Sequence, residues 1–144
     1  MSLESIYTDI ILENSRSDHN RKHLDCANCI ERGHNPSCGD DIVIELIIKD
    51  GTVVDAAFTG SGCAISQAST SMMIDLIRSK SVDEAKVLAD TFLAMIKKII
   101  EEESDLEILE DAIAFKNISN MPARVKCAVL AWHTLKEAIK RKQA

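Results

Sequence analysis

Ile42-Val43-Ile44-Glu45-Leu46-Ile47-Ile48-Lys49-Asp50-Gly51-Thr52-Val53-Val54-Asp55-Ala56-Ala57-Phe58-Thr59 is the stretch from which the fold can be read. Successive side chains of an extended chain point to opposite faces. Ile42, Ile44, Leu46 and Ile48 therefore line one face of a strand, with Glu45 and Lys49 on the other. Asp50-Gly51 is a two-residue hairpin signal, because both residue types tolerate the left-handed backbone that a tight hairpin turn needs. Residues 52–59 return with Val54, Ala56 and Phe58 on one face and Asp55 on the other. The expectation is one antiparallel hairpin.

Downstream, Gly60-Ser61-Gly62-Cys63 leads into a helix running to about residue 80. Small residues at its start (Ala64, Ser66, Ala68, Ser69) permit close packing on the sheet. Ser81-Val82-Asp83-Glu84 fits a capping box. The helix after it carries Ala85, Leu88, Ala89, Phe92, Met95, Ile96, Ile99 and Ile100 at helical spacing. Residues 106–115 read as a short helix or turn. Met121-Pro122 opens a last helix, with Pro in the tolerated first turn and Val125, Ala128, Val129, Trp132, Leu135 and Ile139 as its core stripe. Upstream, residues 3–14 read as a helix with Leu3, Ile6, Ile10 and Ile11 on one face, and residues 16–37 as a polar loop. The reading is α+β, a small antiparallel sheet packed against several helices, as one domain over residues 1–144.

Composition narrows the function. Of 144 residues, 46% are hydrophobic and 28% charged, which suits a globular protein with a real core. The net charge of −6 leaves no basic surplus to neutralise phosphates, which argues against nucleic acid as a main partner. The basic cluster Lys136, Lys140, Arg141 and Lys142 reads as a solvated helix end. No apolar run reaches the length of a membrane span and no signal-peptide pattern opens the chain, so a cytoplasmic protein is expected. Five cysteines in such a chain read as ligands or reactive thiols rather than as a disulfide frame.

Three of those cysteines lie at element boundaries. Cys38-Gly39-Asp40 precedes the first strand, and in an extended segment its thiolate and carboxylate point the same way. Read alone it favours a plain turn. Cys63 sits where a Gly-rich turn meets a helix N-terminus, whose free N–H groups favour a thiolate. It also fits a small buried residue. Cys127 falls off the apolar stripe of the last helix, towards a rim beside Arg124 and Lys126, two cations able to lower its pKa or equally to be ordinary surface residues. Together, three sulfurs and one carboxylate make a tetrahedral set for zinc, and thiolates equally suit iron–sulfur chemistry.

Asn35-Pro36-Ser37-Cys38-Gly39-Asp40, Phe58-Thr59-Gly60-Ser61-Gly62-Cys63-Ala64-Ile65-Ser66 and Met121-Pro122-Ala123-Arg124-Val125-Lys126-Cys127 resemble, in order, the three signature segments of the iron–sulfur assembly family of IscU, SufU and the NifU N-terminal domain. The resemblance covers about residues 3–140 and is weakest over 14–34. It is greatest to the SufU branch. The long stretch between Cys63 and Cys127 fits that branch's insertion, and Lys126 stands where IscU-type proteins have histidine. Met121-Pro122-Ala123-Arg124 replaces their Leu-Pro-Pro-Val-Lys motif. The resemblance implies zinc at Cys38, Asp40, Cys63 and Cys127, and persulfide transfer from a SufS-like cysteine desulfurase with Cys38 as acceptor. It implies a sulfurtransferase-like relay that delivers to downstream iron–sulfur assembly or recipient proteins. The alternative is a scaffold on which the same ligands assemble a [2Fe–2S] cluster, with iron in place of zinc. A structural zinc module is a third reading, and a Cys–His hydrolase a fourth, for which no motif supplies base and oxyanion hole.

Outside the family pattern, His19, His23, Cys26 and Cys29 read His-x3-His-x2-Cys-x2-Cys. That spacing is open to a second zinc site, a redox dithiol or spare loop thiols. His34 reads as a solvated loop residue or a substitute ligand, and His133 has no assigned role.

Overall fold

The structure, a computed structural model, describes residues 3–143. Among the described residues the sheet has three antiparallel strands in the order β1 (Cys29–Asn35), β2 (Asp40–Lys49) and β3 (Thr52–Ser61). The β2–β3 hairpin forms as the sequence predicts. Asp50 and Gly51 both take positive φ (52° and 76°), the signature of a type I′ turn matched to the twist of the strands.

The return strand differs in one respect. Ile48 pairs with Val53 and Ile47 with Asp55, so Val54 is an extra residue with no partner, a β-bulge. The bulge shifts the alternation by one. Val53 is fully buried and Val54 is 49% exposed, the reverse of the expected facing, while Ala56 and Phe58 point inward as expected.

Strand β1 replaces part of the loop expected over residues 16–37. Its sequence, CIERGHN, lacks an apolar alternation because α5 (Pro122–Gln143) packs on it so closely that a side chain is excluded at its centre. A Cβ on Gly33 would lie 2.1 Å from Thr134 Oγ1. The preceding segment crosses the sheet. Asn20 and Lys22 bond to Phe58 on the outer edge of β3, and Asn28 bonds to Leu46 of β2. Glu45, on the strand face opposite Ile44 and Leu46 as expected, lies under this segment, bonded to His23 Nδ1 at 2.9 Å and to the Leu24 N–H at 3.3 Å, and is buried.

Helix α1 (Leu3–Arg16) leans on α2 (Ala64–Ile77) through Tyr7, Ile10 and Ile11, leaving Leu3 and Ile6 exposed. Helix α3 (Val82–Ile96) starts at the predicted capping box, with both reciprocal bonds between Ser81 and Glu84 present. It ends at Ile96 instead of running on through Ile100. Lys98 takes positive φ (59°), and Ile99 is exposed. A four-residue helix, α4 (Glu103–Leu106), and 3-10 turns over Glu107–Phe115 and Ile118–Asn120 complete the path to α5.

The helices are tied together around Trp132. Its ring stacks on Phe92 of α3 at 4.2 Å between centroids, and Phe92 meets Phe115 edge-on at 5.9 Å. The indole N–H donates to Ser69 Oγ of α2 at 2.9 Å, and that hydroxyl donates to the Ala128 carbonyl at 2.6 Å. One serine thus satisfies two buried groups of α5. Ser69→Ala leaves the indole N–H and the arrangement around it without a partner, at a cost of about 1–3 kcal/mol. Urea unfolding followed by Trp132 fluorescence checks this; an unchanged midpoint contradicts it.

Candidate metal centre

Four chain segments meet at one end of the sheet, and each places its side chain for a local reason. Cys38 sits in a turn closed by bonds from its N–H to the Asn35 carbonyl at 3.2 Å and from the Gly39 N–H to the Pro36 carbonyl at 3.3 Å. Gly39 has φ of 70° with nothing near its missing Cβ, so the turn is permitted by glycine and open on that side. Asp40 begins β2 and points inward. Asp41 points the other way, where Arg32 of β1 grips both its oxygens at 2.8 and 2.7 Å and holds its carboxyl below the usual range. Cys63 is the N-cap of α2, as expected, and Cys127 lies in the first turns of α5.

The Cys38 and Cys127 thiols and an Asp40 oxygen all lie within 4.8 Å of one another. The Cys63 thiol is not part of that group, but it stands near enough to Cys127 to help raise the pKa of the Cys127 thiol. Asp40 is fully buried. Its Oδ1 accepts the Cys63 N–H at 3.0 Å, but its Oδ2 is buried with no hydrogen-bond partner. A buried carboxylate oxygen without a donor is costly, and a cation is the partner that removes the cost. The donor set, three thiols and a carboxylate, suits tetrahedral zinc and also iron–sulfur chemistry.

Cys127 is 1% exposed, so it is not at a rim as its helix phase implied. It does lie off the apolar core of α5, but the other site residues cover it. Burial, followed by the neighbouring Cys38, Cys63 and Asp40 side chains, pushes its thiol well up. The expected lowering by Arg124 and Lys126 is therefore not found; both side chains are exposed. A thiol in this position would release its proton to solvent as a metal ion binds the sulfur, which makes ion binding and thiolate formation one event.

The His-x3-His-x2-Cys-x2-Cys residues are not brought together. His19 bonds to Ser17 and to Asp75, the latter at 3.0 Å, and His23 to Glu45. Cys29 is buried on β1 with its thiol on the Ala138 carbonyl, and burial pushes its pKa up. Cys26 is exposed. His34 is exposed on β1 and also stands outside the group. Sequence reasoning missed Gln67. It is 6% exposed, and neither atom of its amide has a partner. Its position four residues after Cys63 on α2 puts both on one helix face, which was the available signal.

The sequence pattern described as NifU-like N terminal domain matches residues 6–144. The chain belongs to this family. Its relatives include the iron–sulfur cluster assembly scaffold protein IscU of Thermotoga maritima, 43% identical over 141 residues, or 98% of this chain and 97% of the relative. The zinc-dependent sulfurtransferase SufU of Bacillus subtilis is 32% identical over 99% of this chain and 95% of its own. Among solved structures, FiSufU of thermophilic Fervidobacterium islandicum AW-1, assigned to the SUF system as an iron–sulfur cluster assembly scaffold, superposes with a TM-score of 0.87. It is 33% identical and covers 96% of this chain and 99% of its own. The α+β architecture is thus that of the family, and both SufU and IscU proteins are near relatives.

Two outcomes follow from this geometry. With chelator present at pH 8, a thiol reagent should modify Cys26 at least about tenfold faster than Cys127 or Cys29, because the raised pKa values deplete the thiolates of the latter two. Peptide mass spectrometry over time reads the order, and a Cys127 as reactive as Cys26 contradicts it. In addition, the Cys26→Ser/Cys29→Ser double variant should bind the same amount of zinc per chain as the wild type, as measured by elemental analysis.

Proposed function

We propose that the protein is a zinc-dependent sulfur acceptor and carrier in iron–sulfur cluster assembly, loaded by a cysteine desulfurase. The observation that carries this reading is the gathering of the Cys38 and Cys127 thiols around Asp40, whose buried Oδ2 has no hydrogen-bond partner, with the Cys63 thiol beside Cys127. Cys38, Asp40, Cys63 and Cys127 would hold the ion. Bound zinc would supply the positive charge that keeps thiols deprotonated at neutral pH, without redox chemistry of its own.

The four donors are not equivalent. Asp40 and Cys127 are buried, and Cys63 is tied to the start of α2. Cys38, like Cys63, is half-buried, and its thiol's hydrogen bond to the backbone is a long one, 3.9 Å to the Ala123 carbonyl. It is therefore the donor that a docking desulfurase can free. The Cys38 thiolate attacks the outer sulfur of the desulfurase's cysteine persulfide. A new S–S bond forms, the old one breaks, and the desulfurase cysteine leaves as a thiolate. Cys38 then carries the sulfur to an assembly or recipient protein. Five free cysteines fit a reducing, cytoplasmic setting, and none of the described helices is long and apolar enough to cross a membrane.

The B. subtilis relative, described as a zinc-dependent sulfurtransferase, supports this reading. The T. maritima relative, described as a scaffold, supports the alternative in which the same residues hold a [2Fe–2S] cluster during assembly. Anaerobic purification with metal analysis and visible absorbance separates them. A colourless protein with zinc is expected; a coloured protein with iron and sulfide establishes the scaffold instead. Cys38→Ser should abolish sulfur uptake from a desulfurase and its stimulation while far-UV circular dichroism stays native. Undiminished stimulation overturns the role of Cys38.

A further inference from the structure

Gln67 stands beside Asp40 with nothing to bond. Its amide is enclosed, and both its oxygen and its nitrogen lack partners. A group able to use the nitrogen, the Asp40 carboxylate, lies close by. A Cβ built on Gly62 would lie 2.5 Å from Asp40 Oδ1 and 3.3 Å from Gln67 Nε2. The amide and the carboxylate therefore both border the space that the glycine leaves open.

Asp40 needs what Gln67 offers. When the unpartnered Oδ2 takes the ion, Oδ1 keeps one donor, the Cys63 N–H at 3.0 Å, and has the capacity to accept a second. Asp40 is fully buried, so bulk water does not fill that position. Carboxylates that ligate metals are commonly fixed by hydrogen bonds to their other oxygen, and these outer bonds orient the ligand and stabilise its charged form. Gln67 is anchored for this by its backbone, whose N–H donates to the Cys63 carbonyl at 3.0 Å in the first turn of α2.

We propose that Gln67 is a positioning residue for the Asp40 ligand: its amide N–H closes across the Gly62 gap onto Asp40 Oδ1 when Oδ2 holds an ion. Gly62 is required here for space, since any side chain would occupy the path of the bond. The inference rests on the metal-site reading above and adds a residue that the thiol and carboxylate signature does not include.

Cobalt(II) titration of the untagged full chain tests it, with affinity measured by chelator competition and thiolate ligation by charge-transfer absorption. Gln67→Met keeps the volume and removes the donor. It should weaken cobalt binding by about tenfold, with the melting temperature of the apo-protein within a few degrees of wild type. The decisive comparison is an Asp40→Cys background, which retains four ligands but has no carboxylate to orient. There Gln67→Met should change the affinity less than about twofold, as expected when one residue acts only through the other. Unchanged affinity in the native background, or the same loss in both backgrounds, overturns the proposal, the second result showing a general packing role. Failure of the underlying reading looks different: wild-type protein that binds no cobalt, or binds it without thiolate charge-transfer bands, removes the site and the inference together.

Discussion

The bond from the Cys63 N–H to Asp40 Oδ1 is the contact on which the architecture of the site depends. It joins the first residue of β2 to the N-cap of α2, two points separated in the chain by the whole hairpin. A carboxylate at that place meets the unpaired N–H groups and positive end of a 14-residue helix, an arrangement favourable to negative charge. Buried as it is, the carboxylate would be costly if these donors did not meet it. One of its oxygens is thereby satisfied by the fold, and the other is left for an ion.

The remaining architecture holds that junction in place. The type I′ turn and the bulge at Val54 set how β3 returns, so that it ends beside the start of β2 and delivers Gly62 and Cys63 to Asp40. Packing of Trp132 on Phe92, and the two hydrogen bonds of the Ser69 hydroxyl, fix α5 against α2 and α3. The start of α5 then brings Cys127 under the two helix and strand ends. Rigid elements supply the buried donors, while Cys38 alone comes from a turn. This division fits a site that must keep its ion yet free one thiol.

Burial also distributes reactivity among the cysteines. Cys29 and Cys127 are both enclosed and both have raised pKa values, but for different ends. Cys29 lies against the backbone of α5 as a small core residue. Cys127 is enclosed by other donors, so the same desolvation that suppresses its free thiolate favours a shared cation. Burial alone would not separate the two roles; the neighbours do.

Much of this was legible in the chain itself. The period-2 pattern around Asp50-Gly51, the capping box at Ser81 and the apolar stripe of the last helix depend on local sterics and local hydrogen bonds, and they appear where the sequence places them. Cys38, Asp40 and Cys127, which the fold brings within 4.8 Å of one another, were legible as candidates with Cys63 because each follows or precedes an element boundary in a recognisable segment. What the sequence did not determine depends on contacts between distant segments. Strand β1 exists because α5 needs a glycine beneath it and β2 needs an edge partner. Glu45 is buried because the segment through His23 and Leu24 crosses over it. Val54 turns outward because the pairing of two strands absorbs an extra residue. Tertiary structure alone decided that His19, His23, Cys26 and Cys29 part company and that Gln67 comes to lie beside Asp40, since local spacing carries no information about which surfaces meet across the fold.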